Sequence, residues 1–141
     1  MTKIDLTDNI KGLLLAKYEW YESNLLASLQ HQGYQNLTAN QVRVFGQLKG
    51  QSKNISDLAK QLGVSRQAAQ KTVSSLVDYG LLELKPCTEN KSAKVVHITN
   101  KGHDMRKVAG EAMGNIEEKI RLKIGEEPFA LLKTALSCDW D

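Results

Sequence analysis

Apolar residues recur at three- and four-residue spacing over most of this chain, the rhythm of helices packed on one side. Over residues 9–32, Leu14, Tyr21, Leu25 and Leu29 share a face that Ile10, Leu13, Tyr18 and Trp20 broaden. One long helix is predicted there, with Asp8 as its N-cap and Gly33 as its end. Residues 1–8 read as a lead-in. Thr38 opens a second helix, with Gln41 three positions on as in a capping box. Val42, Phe45 and Leu48 set its buried face, and Gly50 closes it. A very short strand is expected at 53–55. A short helix at 56–61 follows, with Leu58, Ala59 and Leu62 inward. Gly63 stops it where a positive φ costs glycine nothing. Ser65 then caps a helix that turns Ala69, Val73 and Leu76 inward.

After Gly80 the period shortens to two. Residues 81–85 alternate as a strand, Pro86 ends it, and Cys87 to Ser92 read as a turn with Glu89, Asn90 and Lys91 at its tip. The β-branched run from Lys94 to Thr99 returns as the second strand. Thr99 caps a further helix reaching Ile124, with a seam of Met105, Val108, Ala109, Ala112, Met113, Ile116 and Ile120. Gly110 and Gly114 on it are expected to allow close approach of another helix. Gly125 ends that helix. Glu126 and Glu127 suit the positive end of the next, where Pro128 is tolerated. Phe129, Leu132 and Leu136 continue the apolar face. The terminal helices carry more apolar stripe than a small core can cover, so they are expected to pair across a two-fold axis. The fold class is mainly α with a small β-hairpin (α+β). It is a winged helix-turn-helix flanked by N- and C-terminal dimerisation helices. One domain spans 1–141: dimerisation helices at 1–35 and 100–141, and the winged lobe at 36–99.

Charge sharpens that picture. Overall the chain has 19 Lys and Arg against 16 Asp and Glu. Residues 52–102 alone hold eight basic and four acidic residues, a net +4, which leaves −1 elsewhere. A basic middle on a neutral frame is a footprint for a polyanion. No apolar run is long enough to span a bilayer, and no secretory pattern opens the chain, so a soluble cytoplasmic protein is expected, with no membrane partner. Cys87 and Cys138 are too few and too far apart to suggest a disulfide framework.

The chemistry concentrates on the helix after Ser65. Arg66, Gln67, Gln70, Lys71 and Ser74 fall opposite its buried face, and no acid joins them until Asp78. These donor-rich types read base edges and phosphates, which makes double-stranded DNA the expected partner. A wing beside such a helix lays its tip along the neighbouring minor groove. No phosphate-binding glycine loop, nucleophile elbow or carboxylate pair with a histidine is present. No catalytic residue or cofactor is therefore assigned. His31, His97 and His103 lack ligand spacing, so no metal is assigned either.

The landmarks LTANQVRVFGQL, ISDLAKQLGVSRQAAQKTVSSLVDYGLL and the hairpin ending in ITNKG resemble the MarR family of winged-helix transcription regulators, over nearly the whole chain. That resemblance implies a homodimer with interlocked terminal helices. Its two lobes would bind a pseudo-palindromic operator, usually to repress. It carries Ser65, Arg66, Gln67, Gln70 and Lys71 onto the start of the family's recognition helix. Gln67 and Gln70 would pair with adenine, Arg66 with guanine or a phosphate, and Ser74 with a phosphate. Where relatives often place a minor-groove arginine, this chain has Asn90, Lys91 and Ser92. Lys91, with Lys94 behind it, is then expected to touch mainly backbone.

Many members release DNA when a small molecule, an oxidant or a metal acts between the dimer helices and the DNA lobes. Tyr18, Tyr21 and Met113 are the candidate lining residues for a small apolar or aromatic effector. Two other readings stand beside the DNA-binding one. One is a winged-helix module that binds protein instead. The other is a cysteine-based redox-sensing regulator, which needs a thiolate beside a cation. Lys85 near Cys87 is its only support, and the first helix has no cysteine.

Overall fold

The computed structural model describes residues 3–89 and 93–141. Six helices and a three-stranded sheet follow in the order α1 (Ile10–His31), α2 (Ala39–Gln47), β1 (Lys53–Asn54), α3 (Ile55–Leu62), α4 (Arg66–Asp78), β2 (Leu82–Pro86), β3 (Lys94–Ile98), α5 (Asn100–Ile124) and α6 (Glu126–Ser137). The sheet order is β1-β3-β2, antiparallel throughout, with Val96 between Lys53 and Leu84. The hairpin tip at Asn90, Lys91 and Ser92 lies outside the described residues.

The caps explain where the helices start. Asn9, not Asp8, caps α1: its backbone is extended and its side-chain oxygen accepts from the Gly12 amide at 2.8 Å. Both residues are good cap types, and only the one in register with that amide serves. Thr38 and Gln41 form the reciprocal capping box on α2. Asn54 caps α3 through the Asp57 amide at 2.7 Å. That starts α3 one residue earlier than expected and ends β1 before Ile55, which joins the core instead. Val44 takes the buried place on α2 expected of Val42, which is only half-buried. The strand expected to stop before Pro86 includes it, paired with Lys94 on the edge strand β2, where a missing amide is tolerated.

One core joins the lobe to the C-terminal end of α1 and the N-terminal half of α5. Leu29, Leu48, Leu58, Leu76, Val96 and Met105 are almost completely buried in it. The long helices are covered along only part of their length. On α1, Leu29 is buried and Tyr21 and Leu25 are half-buried, but Ile10, Leu13, Leu14, Tyr18 and Trp20 are exposed. α6 buries no residue, and its Leu131, Leu132 and Leu136 face outward. Gly110 and Gly114 meet no packed helix: a Cβ on either would find nothing within 4 Å among the described residues. A close approach within the protomer occurs at Gly102, where a Cβ would overlap the Leu81 carbonyl oxygen and lie 2.7 Å from Ile98 Cγ2.

Candidate nucleic-acid interface

Helix α3, the turn at 63–65 and helix α4 form a helix-turn-helix. Gly63 sits in the left-handed region at φ +68° and closes α3. Val64 leads out of it, and its amide donates to the Ala59 carbonyl at 3.1 Å. Ser65 then caps α4, accepting from the Ala68 amide at 3.1 Å. Three of the core's buried side chains, Ala69, Val73 and Leu76, anchor α4. At about 3.6 residues per turn, fixing that face fixes what the opposite face presents.

The opposite face is the expected one. Ser65, Arg66, Gln67, Gln70, Lys71 and Ser74 are all exposed. Among the described residues, no hydrogen bond or ion pair occupies the side chains of Arg66, Gln67, Gln70 or Lys71. Two cations and two amides therefore stand uncommitted near the positive end of a helix dipole, a surface suited to a polyanion. Lys94, at the first residue of β3, is exposed as well. Lys91 lies outside the described residues.

The sequence reading missed a third stripe on α4. Asn40 Nδ2 donates to Thr72 Oγ1 at 3.1 Å, and Gln41 Nε2 donates to Ser75 Oγ at 3.0 Å. These contacts bind α2 to α4 along the edge of the donor face. Gln41 was visible as a capping residue, but pairings across more than thirty residues leave no periodic trace.

The candidate effector residues do not converge. The Tyr21 hydroxyl donates to Glu117 Oε2 at 3.0 Å and lies 3.4 Å from the Met113 carbonyl oxygen, so these two residues of α1 and α5 meet. Burial, then the Glu117 hydrogen bond and negative charge, push the Tyr21 phenol well above its ordinary pKa. Tyr18 stands apart, accepting from Arg43 Nε at 3.2 Å, while Arg43 pairs with Glu22 at 3.1 Å. An open concavity of about 420 Å³ beside α5 is lined by His103, Arg106, Lys107, Gly110 and Met113, so only Met113 of the three candidates reaches it. Cys87 is half-buried at the base of the hairpin and Cys138 is exposed. Among the described residues no cluster of His, Cys, Asp and Glu could hold a metal, and no helix is long and apolar enough to cross a membrane.

A helix-turn-helix followed directly by a β-hairpin, backed by long terminal helices, is a winged helix-turn-helix protein. Residues 35–91, from the loop before α2 into the hairpin, match the family model described as MarR family. That segment, less than half of the chain, is similar to the MarR family. The fold of the whole chain is that of MarR. It superposes on the crystal structure of MarR with a TM-score of 0.80 and 19% identity, covering 96% of this chain and 90% of that one. A cysteine-to-serine mutant of MarR from E. coli, solved in complex with operator DNA, gives 0.73 at 20% identity, covering 94% and 96%. NadR in complex with 4-hydroxyphenylacetate gives 0.72 at 21%, covering 97% and 96%. At such identities the likeness is one of fold. No curated protein matches the chain.

Proposed function

We propose that this protein is a homodimeric, sequence-specific DNA-binding repressor that acts in the cytoplasm on a pseudo-palindromic operator. The observation that carries the reading is the uncommitted donor face of α4, held outward by Ala69, Val73 and Leu76. Gln67 and Gln70 read base edges, Arg66 takes a guanine or a phosphate, and Lys71, Ser65 and Ser74 hold phosphates. Lys91 and Lys94 of the wing touch the neighbouring backbone. The operator-bound MarR mutant supports this use of the fold.

Dimerisation rests on residues 1–35 and 100–141. The exposed Ile10, Leu13 and Leu14 of α1 and Leu131, Leu132 and Leu136 of α6 give the apolar surface for it. Exposed large apolar side chains in such number on two helices support an association site there. The dimer sets two α4 helices roughly 34–36 Å apart, one turn of DNA. A small aromatic effector that shifted that spacing would release the operator, and the ligand carried by NadR supports such control. Tyr21 and Met113, which meet where α1 crosses α5, are the residues we place nearest to it, with Tyr18 one turn away on α1.

Random-site selection with purified protein tests the reading. The expected result is an enriched inverted repeat, bound more weakly as salt rises because phosphate contacts release counterions. No enrichment, with binding to a protein partner instead, would overturn it.

A further inference from the structure

The recognition helix presents three stripes, not two. Viewed down α4, Ala69, Val73 and Leu76 point to the core, and Arg66, Gln67, Gln70, Lys71 and Ser74 point outward. Between them lie Ala68, Thr72 and Ser75, at i, i+4 and i+7. This last stripe meets the first turn of α2. Asn40 Nδ2 donates to Thr72 Oγ1 at 3.1 Å, and Thr72 Oγ1 donates in turn to the Ala68 carbonyl at 3.3 Å. Gln41 Nε2 donates to Ser75 Oγ at 3.0 Å, and Ser75 Oγ donates to the Thr72 carbonyl at 2.6 Å.

Gln41 is committed at both ends. While its Nε2 reaches α4, its Oε1 accepts from the Thr38 amide at 2.9 Å, and its own amide donates to Thr38 Oγ1 at 3.1 Å. An unbroken run of hydrogen bonds therefore leads from the N-cap of α2 to the backbone of α4. The core contacts of α4 are made by alanine, valine and leucine side chains, whose burial holds it down without directional bonds. Directional hydrogen bonds on a flanking stripe resist rotation of the helix about its own axis. A roll of one side-chain width would move the amides of Gln67 and Gln70 off the two-point geometry that reading a base requires.

We propose that Asn40 and Gln41 are positioning residues that set the rotation of α4 through Thr72 and Ser75, and so determine sequence discrimination without touching DNA. This rests on the DNA-reading function given above. The two fail separately: a wild-type protein that binds no duplex overturns both, whereas a discriminating wild type leaves this proposal to be decided by the variants.

The experiment compares the selected operator with a scrambled duplex, each titrated at two salt concentrations, for wild type, Asn40→Ala, Thr72→Val and the double variant. Loss of one hydrogen bond is expected to lower operator affinity roughly five- to tenfold. Scrambled-duplex affinity and the salt slope should hardly move, since no phosphate contact is lost. The double variant should lose no more than Thr72→Val alone, because the Asn40–Thr72 bond that Asn40→Ala removes is already gone in it. Thr72→Ser, which keeps the oxygen, should restore discrimination. If Thr72→Val does not fold, Ser75→Ala makes the same test through the Gln41 arm. Equal weakening on both duplexes with a shallower salt slope would show Asn40 to be a phosphate contact and overturn the proposal. So would unchanged discrimination in folded variants.

Discussion

The hydroxyl of Thr99 donates to the Gly80 carbonyl at 2.6 Å while accepting from the Gly102 amide at 3.0 Å. One side chain thus caps α5 and grips the turn in which α4 ends. Its own amide adds a bond to the Leu81 carbonyl at 3.1 Å. Lys101 Nζ donates to the Tyr79 carbonyl at 2.9 Å and lies 4.8 Å above the Tyr79 ring. The first turn of α5 is therefore fastened to the turn that follows α4. Thr99→Val, which keeps the shape and loses both bonds, is expected to cost about 1–3 kcal/mol. Urea unfolding measures it, and Thr99→Ser should recover most of the loss.

Gly102 and Gly110 lie on the same helix and should respond oppositely. At Gly102 a methyl group would overlap the Leu81 carbonyl, so Gly102→Ala is expected to destabilise by about 1–3 kcal/mol. At Gly110 a methyl group meets open space, so Gly110→Ala should gain up to about 1 kcal/mol from helix propensity. Thermal unfolding of the two variants side by side checks both signs.

Tyr21 gives a pH dependence. Its phenol is held protonated in the fold, chiefly by burial and then by its bond to Glu117. The folded state thus keeps a proton that the unfolded chain gives up near the ordinary tyrosine pKa. Its contribution is fully present below that pH and is lost as pH rises toward the folded value. Unfolding free energy should fall on the alkaline side, and the fall should be shallower in Tyr21→Phe.

The exposed leucines of α6 separate association from folding. Leu132→Glu together with Leu136→Glu should yield a folded monomer, since neither residue is buried in the protomer. Sedimentation measures the mass, and circular dichroism checks the fold. A variant that still sediments as a dimer would remove α6 from the interface.

The winged lobe was legible because its signals are local. Gly63 needs a left-handed residue, Ser65 needs an amide three positions on, and Ala69, Val73 and Leu76 repeat with the helix. The donor face then follows as the remainder. Less was legible where two residues of the same type compete, as Asp8 and Asn9 do for one cap, or Val42 and Val44 for one buried place. Within the protomer Gly110 and Gly114 face no neighbour among the described residues: a small residue marks a possible close approach without naming one, while Gly102 has one in Leu81. The Asn40–Thr72 and Gln41–Ser75 bonds were beyond any periodic reading, since polar side chains on an exposed edge look alike whether they meet water or each other.

The central claim is that the outward face of α4 reads DNA. The most direct measurement is the affinity for the selected operator, at two salt concentrations, of wild type, Arg66→Ala and Lys71→Ala. All three are expected to be folded dimers. Arg66→Ala should lose roughly 1–3 kcal/mol on the operator and relax its preference at one base position, or lose affinity on every duplex if Arg66 holds a phosphate. Lys71→Ala should bind all duplexes more weakly, with a salt slope reduced by about one. Equal affinity and equal salt slope in the three proteins would contradict a DNA-reading role for this face.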